Sequence, residues 1–481
     1  MSFEGTLGRG DIPVPGKAGT ARRGDMGFAG VAASGSAPVP GKAVPPRRGD
    51  IPVPGKAVAA GEGTFLSPAK QCCPGEGTFL SAAAPANSQP SRINNRKPPP
   101  EFHYRHYQAA IPQSSPFPQP SRSRMQARFD HITLSALSVC TGPQTRTLDD
   151  DAHLYADSPG QLQRMRSMVG IERRHVAPRG VTTLDLCEAA ARDLFSAAEV
   201  DTSSVDAVLC VTQTPDHWQP CNANLLHGRL GLSKGAAAFD VNQGCSGWVY
   251  GFYLAAAMLE AGGARRVLLL AGDTVTHCIH PRDRATVPLF GDAGSAALVE
   301  RSNDAAPAWF ALHSDGTGHG AIKVPAGAFR QPAGPETSVE SIAEDGSVRT
   351  PENLFMSGIE VFNFTLREEP GAVRELLAFA DTEAESVDAF VFHQANPFIL
   401  KNLAKRLRLP EEKVPMDTAR RFGNQSSASV PAALAHDLGE VLSRERRRVL
   451  CSGFGVGLSW ASCLLDIGPA KHIHIFQYQT S

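Results

Sequence analysis

Three residues of chemically active type stand where the surrounding sequence can present them. Cys245 lies in the run Phe239-Asp240-Val241-Asn242-Gln243-Gly244-Cys245-Ser246-Gly247-Trp248. The half-apolar residues 237–241 read as the end of a strand, and residues 248–260 read as a helix stopped by Gly262-Gly263. The cysteine is therefore expected at a tight strand-to-helix turn, with small neighbours on both sides. A helix start offers free N–H groups and partial positive charge. These predict a lowered thiol pKa and a nucleophilic thiolate. An inert, buried cysteine would fit the same turn, and two later stretches decide between the readings.

The first is Val391-Phe392-His393-Gln394-Ala395-Asn396, where a buried strand ends in a histidine. The second is Gly423-Asn424-Gln425-Ser426-Ser427-Ala428-Ser429-Val430-Pro431, a small-residue loop that carries an asparagine into a helix. A further run, Gly453-Phe454-Gly455-Val456-Gly457, turns sharply between two apolar strands. Taken singly, His393 is a satisfied strand end, Asn424 a helix cap and the glycine run a hairpin. Together with Cys245 they suit carbon–carbon bond formation between two thioesters. A thiolate takes an acyl group, and backbone N–H groups at Cys245 and in the 454–457 turn hold the oxyanion. A malonyl thioester then loses CO2, and a neutral His393 Nε2–H and the Asn424 amide stabilise the enolate. The glycines let backbone approach the acyl chain closely. This chemistry requires no metal.

The elements that must position these residues occupy only part of the 481-residue chain. Its 47 basic and 48 acidic residues nearly cancel, but residues 1–128 carry 16 basic against 7 acidic, and the remainder 31 against 41. Residues 9–18 recur unchanged at 48–57, residues 61–67 recur at 75–81, and 19 of the 37 prolines fall before residue 129. Such composition disfavours long helices and central strands. We read residues 1–128 as a disordered low-complexity arm, and the near-verbatim repeats suggest a wrongly chosen start, with Met125 just before the first good strand pattern. Residues 1–124 are then dispensable.

From Phe129 onward, apolar strands alternate with amphipathic helices of 10–15 residues, which indicates an α/β architecture with buried sheets. The layout suits two similar halves, 129–304 carrying the cysteine and 305–468 carrying the histidine and asparagine, followed by an unexplained tail at 469–481. The ten cysteines show no CxxC pair, which fits a reducing compartment. No apolar run approaches the ~20 residues of a membrane span, and no signal peptide pattern opens the chain. The expected setting is cytoplasmic, with neither a membrane nor a nucleic acid as partner.

Residues 129–467 resemble the β-ketoacyl-acyl-carrier-protein synthase III family of the thiolase superfamily. The matching stretches are Gly170-Ile171-Glu172-Arg173-Arg174, the Cys245 turn, Phe290-Gly291-Asp292-Ala293-Gly294, His393-Gln394-Ala395-Asn396, the Asn424 loop through Pro431, and Gly453-Phe454-Gly455. The resemblance implies a five-layered αβαβα thiolase fold from two duplicated halves, a homodimer, and a catalytic set at Cys245, His393 and Asn424. It places Phe454, Gly455 and Val456 at the oxyanion and acyl pocket. It also places Trp218 where an aromatic reaches across the dimer into the neighbouring acyl pocket. Substrates would be acyl-CoA or acyl-carrier protein, with malonyl-carrier, and no cofactor.

Three departures concern the donor. Positions where better-known family members clamp coenzyme A with an aromatic and an arginine carry Arg164 and Met168, and an arginine after the His-Gln-Ala-Asn stretch is replaced by Phe398. Arg284 is retained, and Lys405 and Arg406 match basic positions that face an acidic carrier protein in the family, although a solvated helix face would look the same. The alternative activity on this fold is acyl transfer to an oxygen, nitrogen or sulfur acceptor without decarboxylation. Retention of Asn424 argues against it. A thiolase would want a second reactive cysteine, and Cys451 falls two residues before the expected place.

Overall fold

The computed structural model describes residues 125–479. The proposed arm before residue 125, including Cys72-Cys73, lies outside the described residues. In chain order the strands are β1 Met125–Phe129, β2 Ile132–Thr141, β3 Gln144–Thr147, β4 Arg173–Val176, β5 Ala207–Val211, β6 Ala237–Val241, β7 Arg266–Asp273, β8 Ala293–Arg301 and β9 Ala308–Ser314. They continue with β10 Ile322–Lys323, β11 Ser341–Ile342, β12 Val348–Arg349, β13 Phe355–Met356, β14 Ala389–Phe392, β15 Arg447–Gly455, β16 Ser459–Ile467 and β17 His472–Gln477. The helices are α1 Pro159–Val169, α2 Thr183–Ala197, α3 Asn222–Arg229, α4 Gly247–Glu260, α5 Gly358–Phe379, α6 Pro397–Leu407, α7 Asp417–Phe422, α8 Ser429–His436 and α9 Gly439–Leu442.

Two sheets carry the molecule. One has six strands in the order β17-β2-β8-β7-β5-β6, and the other has five in the order β1-β9-β16-β15-β14. Helix α4 is apolar nearly all round, burying Trp248, Val249, Phe252 and Leu259, as a helix must when both its faces meet protein. With α8 it fills the space between the sheets, in one core that takes in Leu137 and Leu269 from the first sheet and Phe310 and Val449 from the second. On the outer face of the first sheet lies the amphipathic α2, started by a capping box between Thr182 and Asp185. On the outer face of the second lie α5 and α6, packed on Phe390, Phe392 and Leu450. The sequence of layers is α, β, α, β, α.

Two boundaries differ from the sequence expectation. Residues 125–128, assigned to the arm, form β1 with Phe129 and pair antiparallel with β9, from Met125↔Leu312 to Phe129↔Ala308. The tail at 469–481 contains β17, which pairs parallel with β2. Both are edge strands with polar residues alternating along them, so neither stands out as a buried run. They also cross the division into halves: β1 joins the sheet of the second half, and β17 joins that of the first. The Gly/Pro/Ser-rich region 321–351 holds the short hairpin β11–β12, and β10 at its start pairs antiparallel with β13 just beyond its end. Among the described residues no helix is long and apolar enough to cross a membrane.

Candidate active site

Cys245 falls between β6 and α4, two residues before the helix begins at Gly247. The backbone at this turn is crowded. A Cβ on Gly455 would stand 2.9 Å from the Cys245 Sγ, and one on Gly453 would stand 2.6 Å from the Cys245 carbonyl oxygen. Only glycine therefore lets the end of β15 lie against the nucleophile. The Ser426 hydroxyl and the Val456 and Cys245 backbone N–H groups act on the thiol to favour its charged form. The two backbone groups belong to the segments from which oxyanion donors were expected; Ser426 was not among those expected.

The expected low thiol pKa is not found. Burial and then the carboxylate of Asp273 push the Cys245 thiol up to about 11, against the hydrogen bonds from Ser426 and Val456. The helix start still favours the thiolate, but desolvation in a nearly closed site opposes it more strongly. One edge of the residue stays open to a cavity of about 570 Å³.

His393 follows directly on β14 and is 2 % exposed. Its backbone N–H donates to the Ser452 carbonyl on β15 at 2.7 Å, which fixes the turn. Burial drives the imidazole pKa down to about 3, so the ring is neutral at physiological pH. Nδ1 lies 2.6 Å from Ser429 Oγ, and that oxygen accepts the Gln394 backbone N–H at 3.3 Å. With the Ser429 hydroxyl donating to Nδ1, the ring proton sits on Nε2, the tautomer that an enolate stabiliser needs. The Phe454 ring meets the imidazole edge to face at 5.4 Å.

Asn424 comes next to a backbone only glycine tolerates. Gly423 has φ +75°, and a Cβ there would stand 2.9 Å from the Arg174 Cβ. The loop is tied to the first half by Asn424 N–H to the Leu289 carbonyl at 2.9 Å and Gly291 N–H to the Asn424 carbonyl at 3.0 Å. Asn424 Oδ1 accepts the Ser426 N–H at 2.9 Å, which leaves the amide N–H groups for the cavity. Ser426 is held at φ +49°, an uncommon conformation for a side-chain-bearing residue.

Cys245, His393, Asn424, Phe454, Gly455, Val456, Trp218 and Arg284 all line this one cavity. Trp218 stands at its rim, 69 % exposed, 5.8 Å from the Phe329 ring. Arg284 is engaged within the chain: its guanidinium pairs with Asp157 at 2.7 Å and lies over the Tyr155 ring. Lys405 and Arg406 are not at the cavity. They are exposed in the last turn of α6, near Arg374. The N-terminal end of the same helix, Asn396 and Ile399, does line the cavity. Phe398 is partly exposed and stacks on Phe362 at 5.5 Å. Cys451 is fully buried opposite Cys463, away from the cavity lining.

The sequence reading missed Asp273, Ser427, Ser429 and Cys278. Asp273 ends β7 and is fully buried. One oxygen accepts the Gln213 N–H at 2.8 Å, and the other accepts the Ser427 hydroxyl at 2.7 Å, so it ties the asparagine loop to the first half. An acidic residue closing the apolar run Val267–Ala271 was the available signal. The serines lay inside the quoted loop, with nothing in their spacing to say which would reach the histidine. Cys278 is a second thiol on the cavity wall.

Residues 239–316 match the family domain described as 3-oxoacyl-[acyl-carrier-protein] synthase III, and residues 377–467 match its C-terminal domain. A β-ketoacyl-[acyl-carrier-protein] synthase III of Symbiobacterium thermophilum is 34 % identical over 327 residues, spanning 68 % of this chain and 95 % of that protein. One from Streptomyces coelicolor is 36 % identical over 335 residues, spanning 69 % and 92 %. The crystal structure of a 3-oxoacyl-(acyl-carrier protein) synthase from Burkholderia xenovorans is 35 % identical, with a TM-score of 0.69 over 74 % of this chain and 99 % of that one. With likeness running through both halves and the αβαβα layers in place, the chain belongs to the β-ketoacyl-acyl-carrier-protein synthase III family of thiolase-fold condensing enzymes.

Proposed function

We propose that this enzyme acylates Cys245 from an acyl thioester, on coenzyme A or a carrier protein, and condenses that group with a malonyl-carrier by decarboxylative Claisen condensation. The observation that carries the reading is the pair of oriented donors beside the thiol: His393 Nε2–H, set by Ser429, and the Asn424 amide, set by Ser426. In the first half-reaction the Cys245 sulfur attacks the thioester carbonyl, a C–S bond forms, and the carrier thiol leaves with the thiol proton. The Cys245 and Val456 N–H groups hold the intermediate oxyanion. In the second, the malonyl C–CO2 bond breaks and its electron pair enters the enolate, whose oxygen accepts from His393 and Asn424. The enolate carbon attacks the acyl-cysteine, and collapse expels the Cys245 thiolate with the β-keto product on the carrier. Each of these steps is served by side-chain and backbone donors, and we infer that the substrates are the only small molecules required.

We further propose a cytoplasmic homodimer serving fatty-acid or specialised-metabolite synthesis. Among the described residues strand β6 is an unpaired sheet edge with Phe239 partly exposed, an edge that a second copy can extend. Trp218, exposed at the rim, is then available to the neighbouring pocket. The basic end of α6, with Lys405 and Arg406, suits an acidic carrier whose arm enters past Asn396 and Ile399. Arg284, already paired with Asp157, would act mainly by shaping the wall for the carrier or coenzyme A arm. The two halves at 129–304 and 305–468 are taken as the duplicated units.

The test is intact-protein mass spectrometry with a panel of acyl-CoA and acyl-carrier thioesters, for the wild type and Cys245→Ser. A mass gain that needs Cys245, discharged as a β-keto product by malonyl-carrier, is expected. Discharge without CO2 release onto another acceptor would instead favour the acyltransferase alternative.

A further inference from the structure

Strand β17 takes no part in the reaction. It lies at the edge of the six-stranded sheet opposite β6, the strand that leads to Cys245, and follows residue 467, where the family match ends. Along His472-Ile473-His474-Ile475-Phe476-Gln477 the residues alternate, so both histidines face the same side of the sheet. That side carries α2, and Asp193 of α2 meets both rings. Asp193 Oδ2 is 2.9 Å from His472 Nε2 and 3.2 Å from His474 Nδ1, while Oδ1 is 3.3 Å from the latter. Ser138 Oγ donates to the same Oδ2 at 2.5 Å. The side chains of Asp193, His472 and His474 are 27 %, 20 % and 46 % exposed, so water and ions reach the cluster.

We propose that Asp193, His472 and His474 form a binding site for one divalent transition metal ion of the zinc class, with water completing its coordination. The three ligand atoms lie within 4.8 Å of one another. Tetrahedral coordination at 2.0–2.1 Å sets neighbouring ligand atoms roughly 3.3 Å apart, which is close to the 2.9 and 3.2 Å found between the carboxylate and the rings. Two imidazole nitrogens and one carboxylate suit zinc, nickel or copper rather than calcium or magnesium, which take oxygen ligands. The Ser138 hydroxyl orients the carboxylate, as outer partners of metal ligands commonly do. On binding, the ring protons move to His472 Nδ1 and His474 Nε2, and the metal ties the last strand of the chain to α2. The site is structural and separate from the Cys245 cavity.

The same contacts without a metal would be a hydrogen-bonded latch, and one experiment separates the two. The full chain is stripped with EDTA, dialysed and titrated with ZnCl2 at pH 7.5 by calorimetry and chelator competition. We expect one ion per chain, with binding weakened about tenfold or more in His474→Ala and in Asp193→Asn. Zinc should raise the melting temperature of the wild type and not of the variants, while Cys245 acylation is unchanged by EDTA. If Asp193→Asn fails to fold, His474→Gln, at the most exposed ligand, gives the same reading. No binding, or equal binding by wild type and variants (through the Asp417, His436 and Asp437 cluster, for instance), would overturn the proposal.

Discussion

Ser429 Oγ lies 2.6 Å from His393 Nδ1, where its hydroxyl can donate and hold the proton of the buried imidazole on Nε2. Because Ser429 already accepts from the Gln394 N–H, its own hydrogen is free to go to Nδ1. Nε2 then bears the proton needed to stabilise an enolate. Ser429→Ala should slow condensation about tenfold, the value of one neutral hydrogen bond. His393→Ala should slow it about 10²–10³-fold. Both variants should still gain acyl mass at Cys245. Single-turnover release of CO2 from malonyl-carrier checks this, and unchanged release in His393→Ala would remove the residue from the mechanism.

The two site pKa values set opposite expectations for pH. With its pKa near 3, His393 stays neutral through the physiological range, so decarboxylation should show no histidine limb between pH 5 and 8. The Cys245 thiol, pushed up to about 11, is mostly protonated at pH 7. Its alkylation by iodoacetamide should therefore rise about tenfold per pH unit from 7 to 9, following the thiolate fraction. A plateau reached by pH 7 would mean that the helix start outweighs burial after all.

Gly455→Ala should close the site rather than unfold it. The added methyl group would stand 2.8 Å from the Cys245 Cβ and 2.9 Å from its sulfur. Acylation should fall by about 10² or more, as expected when the reacting atoms lose their alignment. The melting transition should remain cooperative, and mass spectrometry at fixed time reads the loss.

A buried acid lies under the strand that carries Phe454. Glu369 on α5 is 1 % exposed, hydrogen bonds to Ser452 through one oxygen, and has no hydrogen-bond partner for the other among the described residues. Burial pushes its pKa up to about 8 against that hydrogen bond. The unfolded chain ionises near pH 4.5 and the native protein does not, so stability is full below pH 4.5 and is lost progressively as pH rises to 8. Glu369→Gln should remove that loss, gaining on the order of 3 kcal/mol at pH 7 and little at pH 4. Melting temperatures at pH 5 and pH 8 would show the gap widening.

Strand β1 sets where the chain can be shortened. A protein begun at Met125 should keep its activity. One begun at Asp130 loses the pairing with β9 and the Phe129 ring, which lies 5.7 Å from both Tyr253 and Phe310. The cost should be about 2 kcal/mol or more, read as a lower melting temperature for the shorter chain. Inactivity of the Met125 form would show that residues 1–124 contribute.

The sequence alone carried the α/β alternation and the long central strands and helices such as β2, α2, β5 and α6, because those elements are strongly periodic. It also singled out Cys245, His393 and Asn424, which the fold brings to one cavity, because a histidine ending a buried strand and two small-residue turns interrupt a pattern that burial otherwise enforces. It did not carry β1 or β17, whose alternation is half polar and whose partners are more than 150 residues away in the chain. Nor did it carry the thiol's raised pKa. A turn can be read locally, but the desolvation that opposes it comes from the Asn424 loop and the end of β15, brought against Cys245 only when the halves close. Ser429 and Asp273 belong to the same class: each is an ordinary residue in sequence, and it acquires a role through what the fold places at hydrogen-bonding distance.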